Sequence, residues 1–225
     1  MKHEAQPQSM VEPSRHDPVR APFSTIDEVL VELREGRMVI ICDDEDRENE
    51  GDLCIAAQFV TSTALNFMLR EAAGYLFVSL TNDDCDRLDL HWQCPENTSV
   101  NGTPLTVTID GHPKHGFTTG VSVSERTRTI KMAIDPTSTP SDFVRPGHIN
   151  PLRSRDGGVL VRNGHTEAMI DLCRLAGLYP AAVGIEICKP DGEMARVADL
   201  TVFAAKHGLK MCTIADLVAH LQSAG

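Results

Sequence analysis

The sequence predicts a single compact α+β domain, in which a mixed sheet packs against surrounding helices and long charged loops carry the functional groups. Three observations support this prediction. The chain has 225 residues, 41% hydrophobic and 24% charged, which is ordinary for a globular protein with an enclosed core. Segments with strand and helix periodicity alternate irregularly, so a regular doubly wound sheet is not expected. The loops between these segments hold most of the charge and glycine.

The composition excludes several classes of protein. The formal net charge of −11 opposes binding to nucleic acid or to an anionic membrane, and the 4% aromatic residues leave little surface for base stacking. None of the seven cysteines forms a C-x-x-C pair, which favours reduced thiols over a zinc or redox motif. No apolar run is long enough for a bilayer, and the first residues lack the apolar stretch of a signal peptide. We therefore expect a cytoplasmic protein.

The chain is expected to begin with a flexible tail. Residues 1–22 are polar and aperiodic, so the ordered domain is predicted to cover 23–225. The first helix is predicted from Thr25 and Glu28, which can form a capping box, and Gly36 marks its end.

The remaining elements are predicted from apolar periodicity and turn residues. Further helices are predicted over 62–73, 166–176 and 199–207, with a last helix opened by Thr213 and Asp216. Strands are predicted over 38–42, 75–80, 105–109, 183–187 and 209–212. The pair Asn101-Gly102 predicts a turn.

The most informative segment is the acidic loop, DDEDRENEGD at 43–52, which directly follows a predicted strand. Seven of its ten residues are acidic. Clustered carboxylates need a compensating cation, and hard oxygen donors favour Mg²⁺ or Mn²⁺. Arg47 could pair with a substrate phosphate or with a neighbouring carboxylate. The alternatives are a solvated acidic turn and an EF-hand, and the spacing of glycine and glutamate contradicts the EF-hand.

A second cluster combines RPGH at 145–148 with RNGHTE at 162–167. The latter lies where a helix is predicted to begin, so free backbone N–H groups, an arginine and the Thr166 hydroxyl could bind a phosphate. His148 and His165 could each be a metal ligand or an acid/base group. Alone, either histidine could be structural and Thr166 an ordinary N-cap. Together with the acidic loop they form a set suited to a metal-chelated sugar phosphate.

Glu186 is the third candidate for chemistry. It lies in the apolar segment VGIEI at 183–187, where burial would raise its pKa and suit it to proton transfer. The alternative is a position on the solvent face of the strand.

These motifs, taken in order, resemble 3,4-dihydroxy-2-butanone 4-phosphate synthase of riboflavin biosynthesis. The matching segments are DDEDRENEGD (43–52), NTS with the following GT and TVTID (97–110), TTGVS (118–122), PSDFVRPGH (140–148), GGVLVRNGHTEA (157–168) and the run from Asp191 to Arg196. The resemblance implies a lyase that converts D-ribulose 5-phosphate to 3,4-dihydroxy-2-butanone 4-phosphate and formate. It also implies a requirement for Mg²⁺ or Mn²⁺ and a homodimer with active sites at the subunit interface.

The resemblance assigns site residues position by position. Glu48 and His165 would ligate metal, and His148 and Glu186 would be catalytic. The substrate would be held by Arg47, Glu48, Asp52, Arg162, Asn163, Gly164, His165, Thr166 and Glu186. Our hypothesis is that the metal stabilises an enediolate while Glu186, His148 and a loop carboxylate, with Asp43 as a candidate, move protons.

Two features depart from the family pattern. The segment 71–74 lacks a glycine-rich, basic character, and Asn101 and Leu105 replace frequent aromatics. Both changes are expected to affect pocket walls rather than the metal or phosphate groups. The chain stops at Gly225 without a GTP cyclohydrolase II segment, so the resemblance implies the monofunctional form. A non-catalytic sugar-phosphate-binding paralogue, another metal-dependent sugar-phosphate lyase or isomerase, and a metal-buffer protein remain as alternatives.

Overall fold

A seven-stranded mixed sheet lies at the centre of the part that the computed structural model describes, residues 22–224. The helices are α1 (Ile26–Arg34), α2 (Ser62–Glu71), α3 (Asn82–Arg87), α4 (Val123–Ala133), α5 (His165–Leu175), α6 (Val197–His207) and α7 (Ile214–Ala224). The strands are β1 (Val39–Cys42), β2 (Gly51–Ala56), β3 (Phe77–Leu80), β4 (Ile109–Gly111), β5 (Phe143–Arg153), β6 (Ala182–Glu186) and β7 (Lys210–Thr213).

The strand order is β4-β5-β3-β6-β2-β1-β7. The pairs β1–β7 and β3–β5 are parallel, and the other four pairs are antiparallel. Strands β1 and β2 form a hairpin in which Cys42 is the partner of Gly51, so the acidic loop closes between two central strands. This arrangement confirms the prediction of a single α+β domain with a mixed sheet.

Helices cover both faces of the sheet, which explains why consecutive residues along β1, β2 and β3 are all buried. On β1, Ile40 packs into one buried cluster and Ile41 into the other, because successive side chains point to opposite faces. The first cluster includes buried residues of α2, α3, α4 and α6, and the second includes those of α1, α5 and α7. Truncating one of these fully buried isoleucines to alanine should cost roughly 2–5 kcal/mol of stability.

Most predicted elements are confirmed to within a few residues. The capping box of α1 is present, because the Glu28 carboxylate accepts the Thr25 backbone N–H and the Thr25 hydroxyl accepts that of Glu28. Asn101 and Gly102 lie in a turn closed by a bond from the Gly102 N–H to the Ser99 carbonyl. The predicted tail falls almost entirely on residues outside the described range.

The predicted strand over 105–109 is wrong. Leu105 and Thr106 each make a single isolated bridge, and β4 begins only at Ile109, where the register with β5 shifts. The alternation of apolar residues with threonines along this segment therefore does not make it a continuous strand. Strands β2 and β5 and helices α3 and α4 were not predicted at all.

The described part of the chain contains no helix with the combined length and apolarity needed to cross a bilayer.

Candidate active site

The acidic loop is an ordered turn built around the buried carboxylate of Asp43. One oxygen of Asp43 accepts the backbone N–H of Glu48 at 3.0 Å and the Arg47 guanidinium at 2.9 Å. The other oxygen accepts the Glu50 N–H at 2.8 Å. Arg196, at the start of α6, donates to the backbone carbonyls of Glu48 and Asn49. Both oxygens of Asp43 are therefore engaged in shaping the loop, which does not favour the predicted proton-transfer role.

Glu48 presents its carboxylate at the inner end of this loop. It accepts hydrogen bonds from Arg47 at 2.6 Å and from the Asn101 side chain at 2.9 Å, and it lies 3.6 Å from Nδ1 of His165. The imidazole of His165, together with Asn101 and Arg47, lowers the pKa of Glu48 to about 2 in spite of partial burial. Glu48 is therefore ionised at neutral pH.

His165 is the first residue of α5 and is held in one orientation. Its Nε2 lies 3.2 Å from the carbonyl oxygen of Ile41, and a carbonyl can only accept, so Nε2 carries a hydrogen. Nδ1 consequently faces the carboxylates, at 3.6 Å from Glu48 and 3.8 Å from Asp52. Burial alone would lower the pKa of His165, but the surrounding carboxylates, Asp52 foremost, raise it to about 9.

Asp52 and Glu186 are direct cross-strand partners on β2 and β6. Burial raises the pKa of both carboxyl groups, and each carboxylate opposes the ionisation of its neighbours. Glu186 accepts the backbone N–H of Tyr75 at 2.7 Å. Within the described residues, Oδ1 of Asp52 is buried without a hydrogen-bond partner. An unpartnered buried carboxylate oxygen indicates a site completed by a group from outside the chain.

The start of α5 places a cation and a hydroxyl next to these carboxylates. Arg162 donates to the fully buried Glu167 at 2.6 Å and to the Asn101 carbonyl at 3.2 Å. Gly164 is the N-cap of α5, and a side chain there would lie 2.2 Å from the Arg162 guanidinium. A side chain at Gly164 would therefore displace the Arg162 guanidinium from its position over the helix start. Thr166 follows in the first turn and is buried.

One cavity of about 130 Å³ collects these groups. Its lining residues are Arg47, Glu48, Glu50, Asp52, Tyr75, Phe77, Thr103, Leu105, Leu152, Arg162, His165, Thr166 and Glu186. Seven of the predicted site residues are among them: Arg47, Glu48, Asp52, Arg162, His165, Thr166 and Glu186. Asn163 lines an adjacent cavity that shares Arg47 and Arg162, and Gly164 contributes through its backbone position.

The donor set suits a hard divalent cation. Ligand atoms of Asp43, Glu48 and His165 all lie within 4.8 Å of one another. His165 offers the unprotonated Nδ1 in its neutral form, since the Ile41 carbonyl fixes the hydrogen on Nε2. Carboxylate and imidazole ligands beside an unpartnered Asp52 oxygen fit Mg²⁺ or Mn²⁺ better than a soft metal.

His148 is the one predicted site residue that lies elsewhere. It is on β5, which β3 separates from β6 in the sheet, and it does not line the cavity. Its half-exposed side chain instead contacts Asp110 of β4, with Nδ1 2.6 Å from a carboxylate oxygen. Within one copy of the chain, His148 and Glu186 are therefore not brought together.

Sequence reasoning underrated Asn101 and missed Glu50, Tyr75 and Thr103. The expectation that the change at Asn101 touches only a pocket wall is wrong, because its side chain donates to Glu48 and its carbonyl accepts from Arg162. Its position beside the NTS motif was the available signal. Tyr75 is half-exposed, and its contact with Glu186 is made by the backbone, which no side-chain pattern reveals.

Comparison with known proteins agrees with this geometry. The family model described as 3,4-dihydroxy-2-butanone 4-phosphate synthase matches residues 27–220. The riboflavin biosynthesis protein RibBA of Aquifex aeolicus is 58% identical over 198 residues, which is 88% of this chain and 49% of that protein. The 3,4-dihydroxy-2-butanone 4-phosphate synthase of Pseudomonas syringae pv. tomato is 50% identical over 196 residues, covering 87% and 53% of the two chains. This chain therefore spans about half the length of these relatives.

Solved structures give the same result. A 3,4-dihydroxy-2-butanone 4-phosphate synthase in complex with two magnesium ions superposes with a TM-score of 0.83 at 40% identity, covering 89% of this chain and 98% of that chain. A two-domain synthase from A. baumannii also has a TM-score of 0.83, at 48% identity, and covers 88% of this chain and 57% of that one. The sequence match, the superposition and the motifs of the cavity agree, and the chain belongs to the 3,4-dihydroxy-2-butanone 4-phosphate synthase family.

Proposed function

We propose that residues 23–225 form a catalytic domain that converts D-ribulose 5-phosphate to 3,4-dihydroxy-2-butanone 4-phosphate and formate in riboflavin biosynthesis. The observation that carries this proposal is the meeting of the acidic loop and the start of α5 in one cavity. Membership in the synthase family supports it. The carboxylates, imidazole and arginines of this cavity are the groups that enolisation and cleavage of a ketose phosphate require.

Glu48 and His165 are the proposed metal ligands, with Asp52 close to both. A divalent cation at this position would supply Lewis-acid polarisation of the sugar oxygens. The match to a synthase structure in complex with two magnesium ions supports Mg²⁺ as the metal, and Mn²⁺ has the same ligand preference.

The substrate phosphate is proposed to bind at the start of α5. The first turn of a helix presents free backbone N–H groups and the positive end of the helix dipole. The Thr166 hydroxyl and the Arg162 guanidinium line the same cavity. Asn163 would contribute a backbone donor, and Arg47 would reach the sugar from the acidic loop. The Gly164 N–H already donates to the Arg162 carbonyl at 2.8 Å, so Gly164 would contribute by leaving the helix start without a side chain beside the phosphate. These local positive groups would offset the chain's overall negative charge.

Glu186 is the proposed proton carrier inside the cavity. Burial raises the pKa of Glu186 above the usual value of a glutamate, which favours the proton uptake and release that enolisation and dehydration of the sugar require. The Tyr75 N–H fixes one of its oxygens and leaves the other available to the substrate. The neighbouring Asp52, whose pKa is also raised by burial, would share this proton.

The remaining catalytic group, His148, is proposed to come from a second copy of the chain in a homodimer. His148 does not line the cavity of its own copy, although its ring is half-exposed and free to meet another molecule. Two copies related by a two-fold axis would exchange this residue symmetrically. The proposed active site is therefore complete only in the dimer.

An assay with D-ribulose 5-phosphate and Mg²⁺ tests the function. Formate and the four-carbon phosphate should appear in equal amounts and should be lost after chelation and in His165→Ala. Substrate binding without either product would favour a non-catalytic sugar-phosphate-binding paralogue. A phosphorylated product without formate would favour another lyase or isomerase.

A further inference from the structure

We propose that Asp110 is a positioning residue that holds the His148 ring in a single tautomer, with a hydrogen on Nδ1 and a free lone pair on Nε2. Asp110 would not touch the substrate and would act only through His148. This inference rests on the proposed catalytic role of His148, and it adds a residue outside the cavity to the reaction.

The geometry that carries the inference is a two-point contact. One carboxylate oxygen of Asp110 accepts the backbone N–H of His148 at 2.9 Å. The other lies 2.6 Å from Nδ1 of the same residue. Because both bonds link the same two residues, they fix the ring relative to its own backbone.

The identity of the acceptor selects the tautomer. An ionised carboxylate can only accept a hydrogen bond, so Nδ1 must donate. Among the residues that the structure describes, no group forms a hydrogen bond with Nε2 of His148. The Asp110 side chain is only 6% exposed, whereas that of His148 is 48% exposed. Asp110 is therefore buried, and the His148 ring remains accessible. A general base with its lone pair directed to solvent has this form.

Tight backbone packing immobilises Asp110. A side chain at Gly120 would lie 2.1 Å from the carboxylate of Asp110, and the φ of +80° at Gly120 also favours glycine. Gly147 donates its N–H to the Thr108 hydroxyl at 2.9 Å, and a side chain at Gly147 would lie 2.1 Å from the backbone carbon of Ile109. Two glycines thus bring β4, β5 and the 118–122 loop close enough to enclose one carboxylate.

One nearby cation completes the surroundings. Burial lowers the pKa of Arg126 on α4, and the negative charge of Asp110 opposes that effect. Asp110 therefore has an electrostatic partner that does not compete for the oxygens facing His148. The carboxylate remains available to order the imidazole.

The test is Asp110→Asn combined with His148→Ala in a double-mutant cycle. An asparagine amide can donate to Nδ1 and so reverse the tautomer, which removes the base while keeping the shape. We expect kcat to fall by roughly 10²–10⁴-fold with little change in KM. In the His148→Ala background, Asp110→Asn should have no further effect, because Asp110 acts only through the ring. Additive losses in the two variants would overturn the inference.

The histidine rings of the wild-type protein offer a readout that does not depend on activity. ¹⁵N NMR of the histidine rings, with His148 assigned by its loss in His148→Ala, should show neutral His148 protonated at Nδ1. Protonation at Nε2 would overturn the proposal. Asp89→Asn is the matched control, because Asp89 lies 3.6 Å from His91 with both side chains exposed, and its replacement should leave kcat unchanged within about twofold.

Failure of the two proposals can be told apart. If wild-type protein produces no formate but shows His148 protonated at Nδ1, the reaction assignment fails and the pairing stands. If wild-type protein is active and His148→Ala retains full turnover, the positioning role in catalysis is overturned even though the synthase activity is established.

Discussion

Ala73 has a backbone conformation that a residue with a side chain rarely adopts. Its φ of 63° lies in the left-handed region, which costs an L-residue roughly 1–2 kcal/mol. The strain lies next to the site, because the following residue, Gly74, approaches the Glu186 carbonyl so closely that a side chain would lie 2.2 Å from that oxygen. The connection between α2 and β3 thus accepts local strain where it supports Glu186.

Replacing Ala73 with glycine should therefore stabilise the protein. Ala73→Gly is expected to raise the free energy of unfolding by about 0.5–1 kcal/mol, after subtraction of the greater entropy of glycine in the unfolded chain. Urea denaturation followed by circular dichroism measures it. Ala72→Gly is the control: Ala72 is buried in the right-handed helical region, and its replacement should destabilise. A loss of stability in Ala73→Gly would contradict the argument.

At the residue scale, the sequence predicts which residues are candidates for chemistry better than it predicts which residues they contact. The family resemblance pairs Glu48 with His165 as metal ligands, whereas the residues alone indicate only an acidic loop and a histidine at a helix start that could serve one metal-chelated sugar phosphate. The bond from Asn101 to Glu48 spans 53 residues of sequence, and nothing in the local pattern indicates it. His148 could be recognised as a candidate, whereas its distance from the cavity follows from strand order, which local periodicity does not specify.

The acidic loop is the element whose internal bonds matter most for the proposed metal. Asp43→Asn should weaken Mg²⁺ binding by about 10–100-fold, because an amide nitrogen would face the backbone N–H groups that the carboxylate now accepts. Isothermal titration calorimetry of the apo-protein measures the change. Asp44→Asn, on the exposed part of the same loop, should stay within about twofold. Equal losses in the two variants would mean that general charge, and not loop shape, governs affinity.

Helix α4 shows why one element escaped prediction. Its buried face includes Glu125, Thr127 and Thr129 in addition to apolar residues, so the expected apolar periodicity is absent. The buried polar groups are paired: Glu125 accepts from Thr118 and Ser122, and Thr129 accepts the Gly111 N–H. Because these polar groups are hydrogen-bonded, the helix can bury them as it buries its apolar residues. Only the tertiary contacts reveal that the face is internal.

At the scale of the whole molecule, the proposal that His148 completes the site of a second copy predicts complementation between two inactive variants. His148→Ala and His165→Ala should each be inactive alone. In a mixed dimer one site receives both substitutions and the other receives neither. Random pairing of equal amounts makes half of the dimers mixed, so activity should return to roughly one quarter of wild type. Formate release after co-expression with two different tags measures this recovery, and no recovery would contradict a shared site.

Buried thiols predict how the stability of the molecule depends on pH. Cys42, Cys54, Cys85, Cys173 and Cys212 are buried, and burial raises the pKa of Cys42, Cys85 and Cys173 to about 12. An unfolded thiol titrates near pH 8.5. Stability contributed by these thiols is therefore complete below about pH 8.5. Above it the unfolded state loses protons that the folded state keeps, and stability falls by up to about 1.4 kcal/mol per pH unit for each thiol.

Urea denaturation at pH 8 and pH 10 measures this slope. Cys173→Ala should reduce the slope of unfolding free energy against pH by about 1.4 kcal/mol per pH unit, the contribution of one proton. Cys94→Ala, at an exposed position, should leave the slope unchanged. Identical slopes in wild type and Cys173→Ala would show that the buried thiols do not govern alkaline unfolding.

The position of β1 has a consequence for synthesis of the chain. This apolar strand pairs with β2 immediately and with β7 only much later, since the partner of Val39 is Lys210. On the ribosome, the nascent chain therefore carries one unpaired edge of β1 until most of its length has been translated. Unpaired apolar edges promote association between chains. The acidic loop directly follows β1 in the chain, and dense negative charge next to an apolar strand opposes such association. The carboxylates proposed for metal binding in the finished protein would thus act first as gatekeepers against aggregation.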